Sequence, residues 1–236
     1  MRRIIAVSKT SSFIADEEKA GKIHSAILAW GLKNSRKFPW RNTDDPYRVI
    51  VAEIMLHRTK AEQVERIYEN FLKKYRSMHD IYKTPLDELL GDMSSLGLSW
   101  RGRLMHEMAR YIVEECDSQI PSSKEGLLKL PGVGPYIASA LMCFIYEKPE
   151  PVLDTNTVRV IGRLHGIRIS DSSRRSKKFE SIMRSYLKYG CPRDFSLSLI
   201  DLAALVCTAG ESPHCEICPV GEWCYRCREI EGGGIT

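Results

Sequence analysis

Leu130-Pro131-Gly132-Val133-Gly134-Pro135-Tyr136 lies between two runs of helical character. Upstream, Ser122 and Glu125 have capping-box spacing and start a short helix through Leu130. Downstream, Pro135 suits a first helical position, and Ile137, Leu141 and Phe144 follow on one face. The Gly-Val-Gly link predicts a hairpin with backbone N–H groups pointing outward at the second helix's N-terminus. Such a hairpin grips a phosphate without reading sequence. Glycine lets the backbone approach closely, and the helix end favours negative charge. A lone Gly-x-Gly would read as a helix C-cap and a turn; the full Leu-Pro-Gly-Val-Gly string points to DNA. Leu130, Gly132, Val133 and Gly134 are therefore candidate DNA-binding residues.

Outward from this segment the chain reads as helix. Residues 22–33 carry Ile23, Ile27, Leu28 and Trp30 at helical spacing, and Phe38-Pro39-Trp40-Arg41 breaks the run. Val49 to Leu56 reads as a buried helix, and Ala61 to Tyr75 places Val64, Ile67, Tyr68, Phe71 and Leu72 on one stripe. Thr84-Pro85-Leu86-Asp87 opens a short helix; residues 101–115 form a basic-faced one with Leu104, Met108, Ile112 and Val113 inward. With no alternating stretch of any length, the expected class is all-α. At 236 residues, 43% hydrophobic and 28% charged, the chain suffices for one large domain or two small lobes. A net charge of +5 permits a nucleic-acid partner without demanding one. No apolar run approaches membrane-spanning length, and Met1-Arg2-Arg3-Ile4-Ile5-Ala6-Val7 lacks a signal-peptide core, so no membrane partner is expected.

Eight cysteines in such a chain suggest a reduced, cytoplasmic protein rather than a disulfide framework. Four fall as Cys207-x7-Cys215-x2-Cys218-x5-Cys224, a spacing that suits a cubane iron–sulfur cluster in a compact loop. Zinc is the rival, because Cys215, Cys218, Cys224 and Cys227 form two Cys-x-x-Cys pairs. Cys116 and Cys143, in apolar helical context, read as buried small hydrophobes. Twenty residues beyond the hairpin, Asp154 follows Val152-Leu153 and precedes a helix through Val160, Ile161 and Leu164. A carboxylate there stays ionised; taken alone it is an N-cap.

Hairpin, aspartate and cysteine quartet, in that order, resemble the helix–hairpin–helix DNA glycosylases of the endonuclease III superfamily over roughly residues 22–227. The resemblance implies an all-α fold of two helical lobes. A six-helix barrel with the hairpin spans 38–148. A cluster lobe from 1–37 and 149–229 holds a [4Fe–4S] cluster on Cys207, Cys215, Cys218 and Cys224, and a flexible tail covers 230–236. Double-stranded DNA then lies across the cleft between the lobes with a base flipped into it.

In bifunctional relatives a lysine follows the hairpin and forms a Schiff base at C1′. Here Tyr136 stands in that place, which is similar to the thymine/uracil mismatch glycosylases; the adenine branch carries a serine. Phe38-Pro39-Trp40-Arg41, Asp45-Pro46-Tyr47, Glu53-Ile54-Met55-Leu56-His57-Arg58-Thr59 and Arg193-Asp194-Phe195-Ser196-Leu197 are similar to the same group. The first and third of these also resemble the adenine branch. The chain ends soon after the cysteines, where adenine glycosylases usually continue into a domain that recognises 8-oxoguanine.

The expected function is a monofunctional, monomeric glycosylase of base excision repair, cytoplasmic and nucleoid-associated, that removes thymine or uracil mispaired with guanine. Alternatives are an adenine or broader damaged-base glycosylase, and a non-catalytic DNA-binding module built on structural zinc. The resemblance gives Asp154 the task of stabilising the sugar cation or orienting water. Glu53, followed by Ile54-Met55-Leu56, would protonate or hydrogen-bond the leaving pyrimidine. Tyr136 would line the base pocket, and His57, Arg58 and Thr59 would enter the gap or meet the orphan guanine. Arg101, Arg103 and the run Arg174-Arg175-Ser176-Lys177-Lys178 are generic phosphate candidates. One departure concerns the first two cluster cysteines, which the family usually separates by six residues, often basic. Here there are seven, with no lysine or arginine and with Glu211, which weakens a DNA role for that loop; Cys191 and Cys227 are left as spare thiols.

Overall fold

The computed structural model describes residues 17–97 and 99–231. Residues 1–16 of the expected cluster lobe, and 232–236 of the expected tail, lie outside the described residues. Helix α1 (Glu17–Asn34) leads through a tight turn at Pro39–Arg41 into α2 (Pro46–Leu56), α3 (Ala61–Lys74), α4 (Met78–Lys83) and α5 (Leu86–Asp92). Then come α6 (Trp100–Glu115), α7 (Lys124–Leu127), α8 (Pro135–Phe144), α9 (Thr155–His165), α10 (Lys177–Leu187), α11 (Pro192–Leu205) and α12 (Tyr225–Glu231). Ile230 and Glu231, expected in a flexible tail, close α12 instead. Among the described residues there is no strand, and no helix is long and apolar enough to cross a membrane.

Two hydrophobic cores form. One gathers buried side chains between Phe38 and Val152, with Ile50, Met55, Tyr68, Ile81, Met105 and Leu141 at its centre. The other joins Ala20, Ile23 and Ile27 of α1 to Ile161, Tyr186, Phe195 and Leu202 from the C-terminal half. The chain passes from the first core to the second between Val152 and Leu153, directly before Asp154.

Local signals explain where helices begin. Asp45 caps α2 by accepting from Tyr47 N at 2.9 Å, with Pro46 at the first helical position. For α7 the cap is Ser123, which accepts from Gly126 N, rather than Ser122, and this helix stops at Leu127. In α6 the buried stripe is Arg101, Met105, Met108 and Ile112; Leu104 and Val113 are only half-buried. The stripe is displaced because Arg101 folds into the interior, held by backbone carbonyls. That removes Arg101 from the phosphate candidates, whereas Arg103, Arg174 and Arg175 are exposed.

A buried ion cluster ties the two cores together. Asp201 of α11 is fully buried and accepts from Arg36 N and Nε at 2.9 and 2.7 Å and from Arg41 Nη1 and Nη2 at 2.5 and 2.9 Å. Burial opposes its ionisation. The hydrogen bonds and charge of Arg41 and Arg36 outweigh that and hold the carboxyl below its usual range. Stability from this group is therefore present above the ordinary carboxylate pKa and is lost as acid brings the pH down through the lowered one. Asp201→Ala leaves two arginines facing a buried hole and is expected to cost about 3–5 kcal/mol in a urea melt at neutral pH. A loss under about 1 kcal/mol would show that the cluster is solvated in practice.

Candidate active site

A cleft of about 1100 Å³ opens where the cores meet, lined from the first by Trp40, Arg41, Glu53, His57, Gly134 and Tyr136 and from the second by Asp154 and Asn156. Its floor carries the three side chains to which the sequence reading gave chemistry.

Asp154 holds two positions at once. It caps α9, accepting from Asn156 N at 2.9 Å and Thr157 N at 2.7 Å, while Thr157 returns a bond to its backbone. It also lines the cleft. Asn156 Nδ2 donates to its second oxygen at 2.7 Å, and Asn156 Oδ1 accepts in turn from Arg159 Nη1 at 3.1 Å. The carboxylate is thus fixed in orientation from behind.

Glu53, on α2, is 8% exposed. Burial first, and then the Asp154 charge, push its pKa from the ordinary 4.5 to about 7, against the pull of Arg41 and a hydrogen bond from Tyr136. The Tyr136 hydroxyl is itself pushed well above its usual pKa by burial and by both carboxylates, so it remains a donor. Two carboxyls thus share one cleft, and burial raises the proton affinity of Glu53. Arg41 completes the floor. The sequence reading quoted it within a motif and gave it no role, because its partner Asp201 lies 160 residues away.

The hairpin divides its labour. Leu130 and Val133, expected to bind DNA, are 2% and 6% exposed, so their side chains anchor the turn rather than face outward. Gly132 has φ +81°, and a Cβ there would also press on Leu104 at 3.3 Å. At Gly134 a Cβ would meet nothing within 4 Å, so no contact inside the chain requires glycine. Gly134 is the N-cap of α8, whose first-turn N–H groups lack intrahelical partners.

On the same cleft, His57, Arg58 and Thr59 turn the chain from α2 to α3, with Arg58 at φ +61°. His57 and Arg58 are exposed, and the Trp100 ring stands edge-on to His57 at 5.2 Å. Burial and then the charges of Arg101, Arg58 and Arg174 lower the His57 pKa, which keeps the imidazole neutral at pH 7.

Behind α9, Cys207, Cys215, Cys218, Cys224 and Cys227 line one cavity. Among the described residues no three ligand-type side chains are drawn together around a point that would hold a metal ion. Cys227, set aside as spare, is 2% exposed and lines the cavity with the other four, whereas Cys191 is exposed and does not line it. The seven-residue loop is fastened by Arg163, whose guanidinium donates to Thr208 O and Gly210 O at 2.7 Å each and to Cys207 Sγ at 3.4 Å. Arg159 Nε adds a bond to Cys207 O at 3.0 Å. Cys143 is buried as expected; Cys116 is half-exposed.

The described chain is thus all-α, with a glycine hairpin beside a cleft whose floor carries two carboxyls. Residues 51–185 match the HhH-GPD superfamily of base excision DNA repair proteins, and the chain belongs to that superfamily. It is 36% identical over 211 residues to a thymine/uracil-DNA glycosylase of Methanothermobacter thermautotrophicus, covering 89% of this chain and 95% of that one. An adenine DNA glycosylase of Mycobacterium tuberculosis is 32% identical over 84% of this chain and 65% of its own length. The solved structure of a thermostable thymine-DNA glycosylase superposes with a TM-score of 0.83 at 34% identity, covering 90% of this chain and 98% of that one.

Proposed function

We propose that this protein is a monofunctional DNA glycosylase of base excision repair. It hydrolyses the N-glycosidic bond of thymine or uracil mispaired with guanine in double-stranded DNA. The observation that carries the reading is the trio on the cleft floor. Buried Glu53 has a pKa of about 7, Asp154 faces it, and Tyr136 occupies the post-hairpin position without an amine to form a Schiff base.

The chemistry follows from the bond. As the C1′–N1 bond lengthens, positive charge grows on the sugar and the bonding pair moves to the base. Asp154 stabilises the sugar cation and accepts the proton of the water that adds to C1′. Glu53 donates its proton, or a hydrogen bond, to the departing pyrimidine, and Tyr136 orients Glu53. Gly132 and Gly134 hold a phosphate through backbone N–H groups. His57 and Arg58 fill the gap left by the flipped base, with Arg58 placed to meet the orphan guanine. A mispaired base costs least to extrude, which gives selectivity before any pocket contact is made.

The cavity behind α9 fits an iron–sulfur cluster by its donors. Five soft thiols from one short segment line it, and guanidinium N–H groups of Arg159 and Arg163 aim at the Cys207 carbonyl and sulfur. Cys207, Cys215, Cys218 and Cys224 would hold a [4Fe–4S] cluster, which when bound cross-links the loop and supplies a one-electron redox couple. Cys207→Ser is expected to lose most of the protein's iron and its brown colour, while Cys191→Ser keeps both. A colourless wild-type protein carrying zinc would replace the cluster with a structural zinc site.

Monofunctional action is tested on a G·T duplex with labelled thymine strand. Excision is expected to leave that strand intact until alkali is added. Scission of comparable extent without alkali would identify a lyase and overturn the proposal.

A further inference from the structure

We infer that Arg101 is the positioning residue for the turn His57–Thr59, fixing the shape in which that turn opens the duplex. The inference rests on the placement of this turn at the flipped base proposed above. Arg101 belongs to α6, yet its side chain is fully withdrawn from solvent. From there Nη1 donates to the carbonyls of Met55 and, at 3.1 Å, of His57, and to Thr59 Oγ1 at 2.6 Å. Nη2 donates to the carbonyls of Leu96 and Gly97 at 2.7 and 2.8 Å. Two of these acceptors belong to the turn after α2, one to the last turn of α2 itself, and two to the loop that leads into Trp100. One planar group therefore sets the distance between two loops, and their side chains His57 and Trp100 meet edge to face above it.

Three features separate this clamp from ordinary packing. Its acceptors are four neutral carbonyl oxygens and one hydroxyl, so the guanidinium works as a fork rather than as half of an ion pair. Its Nε is buried without a partner, a cost that an apolar side chain of similar size would avoid. Arg58, at the tip of the clamped turn, holds φ +61°. A non-glycine residue in that region persists where its surroundings over-determine it. The bonds to the residues on either side, His57 O and Thr59 Oγ1, supply that constraint. With the fork removed, the turn relaxes and Arg58 and His57 lose their aim.

Arg101→Lys keeps the charge and loses the fork; Thr59→Val removes one acceptor and leaves the buried arginine in place. Three readouts apply to both variants. Amide hydrogen exchange of residues 56–60 in the free protein is expected to rise about tenfold or more in Arg101→Lys. Fluorescence of 2-aminopurine placed beside a G·T pair, which reports unstacking on binding, is expected to fall towards that of free duplex. Single-turnover excision from G·T is expected to drop on the order of 100-fold, while excision of uracil from an already open bulge changes by less than about threefold. Thr59→Val should follow the same pattern more weakly, and it carries the test should Arg101→Lys fail to fold. Equal loss on paired and open substrates, or unchanged exchange at 56–60, would overturn the inference. A wild-type protein that excises no thymine or uracil would sink the proposed function instead, and exchange and 2-aminopurine would still judge the clamp.

Discussion

Asp154→Asn is expected to release thymine from a G·T pair at least about a thousandfold more slowly than the wild type, with little change in stability. The two halves of this result come from two tasks of one side chain. As an N-cap, Asp154 accepts from Asn156 N and Thr157 N. An asparagine oxygen accepts the same two backbone bonds, so the helix start is kept; only the bond from Asn156 Nδ2 to the second oxygen is lost, and the melt should move by about 1 kcal/mol. As a cleft residue, Asp154 supplies a full negative charge to a sugar that becomes cationic, and an amide supplies none. A variant that kept excision within about tenfold of wild type would reduce Asp154 to its capping role. Lost excision together with a collapsed melt would leave the two roles unseparated, so the melt is measured on the same preparation.

Glu53→Gln should lose on the order of 100-fold or more in single-turnover rate and yet become more stable in alkali. The sign follows from its pKa, which folding raises from 4.5 to about 7. Protonated Glu53 adds stability that is full below pH 4.5, declines as the pH rises, and is gone above about 7. At pH 8 the wild type therefore carries a buried carboxylate beside Asp154, at a cost that glutamine does not incur. The variant is expected to gain on the order of 2 kcal/mol there, after discounting its own unmatched amide N–H. Its activity, already low, should also lack the alkaline fall that wild type shows near pH 7. A Glu53→Gln protein less stable than wild type at pH 8, or one with an unchanged alkaline limb, would remove Glu53 from the acid role.

What the sequence made legible was local. The start of α9 at Asp154 and the proline opening of α8 are each written within a few residues. Chemistry that depends on distant partners was not. Arg101 reads as one more surface base on a helix, because the carbonyl that buries it belongs to Met55, 46 residues earlier. The role of Arg41 on the cleft floor depends on Asp201, and Asp201 itself reads as a helical polar residue among leucines. Glu53 is followed by apolar Ile54, Met55 and Leu56, a local sign of a buried setting; its coupling to Tyr136 and Asp154 required the fold to bring three segments together. Leu130 and Val133 illustrate another limit: the motif does not say which of its side chains turn inward, and that these two do is visible only in their burial.

The central claim is base choice, and one single-turnover panel tests it most directly. Duplexes identical except for the target pair, carrying G·T, G·U, A·T or 8-oxoguanine·A, are incubated with the purified protein and then treated with alkali. Alkali-labile sites are expected at thymine and uracil opposite guanine, with none at A·T and none at adenine opposite 8-oxoguanine. Adenine excised opposite 8-oxoguanine as fast as thymine opposite guanine, or no excision from any duplex, would contradict it.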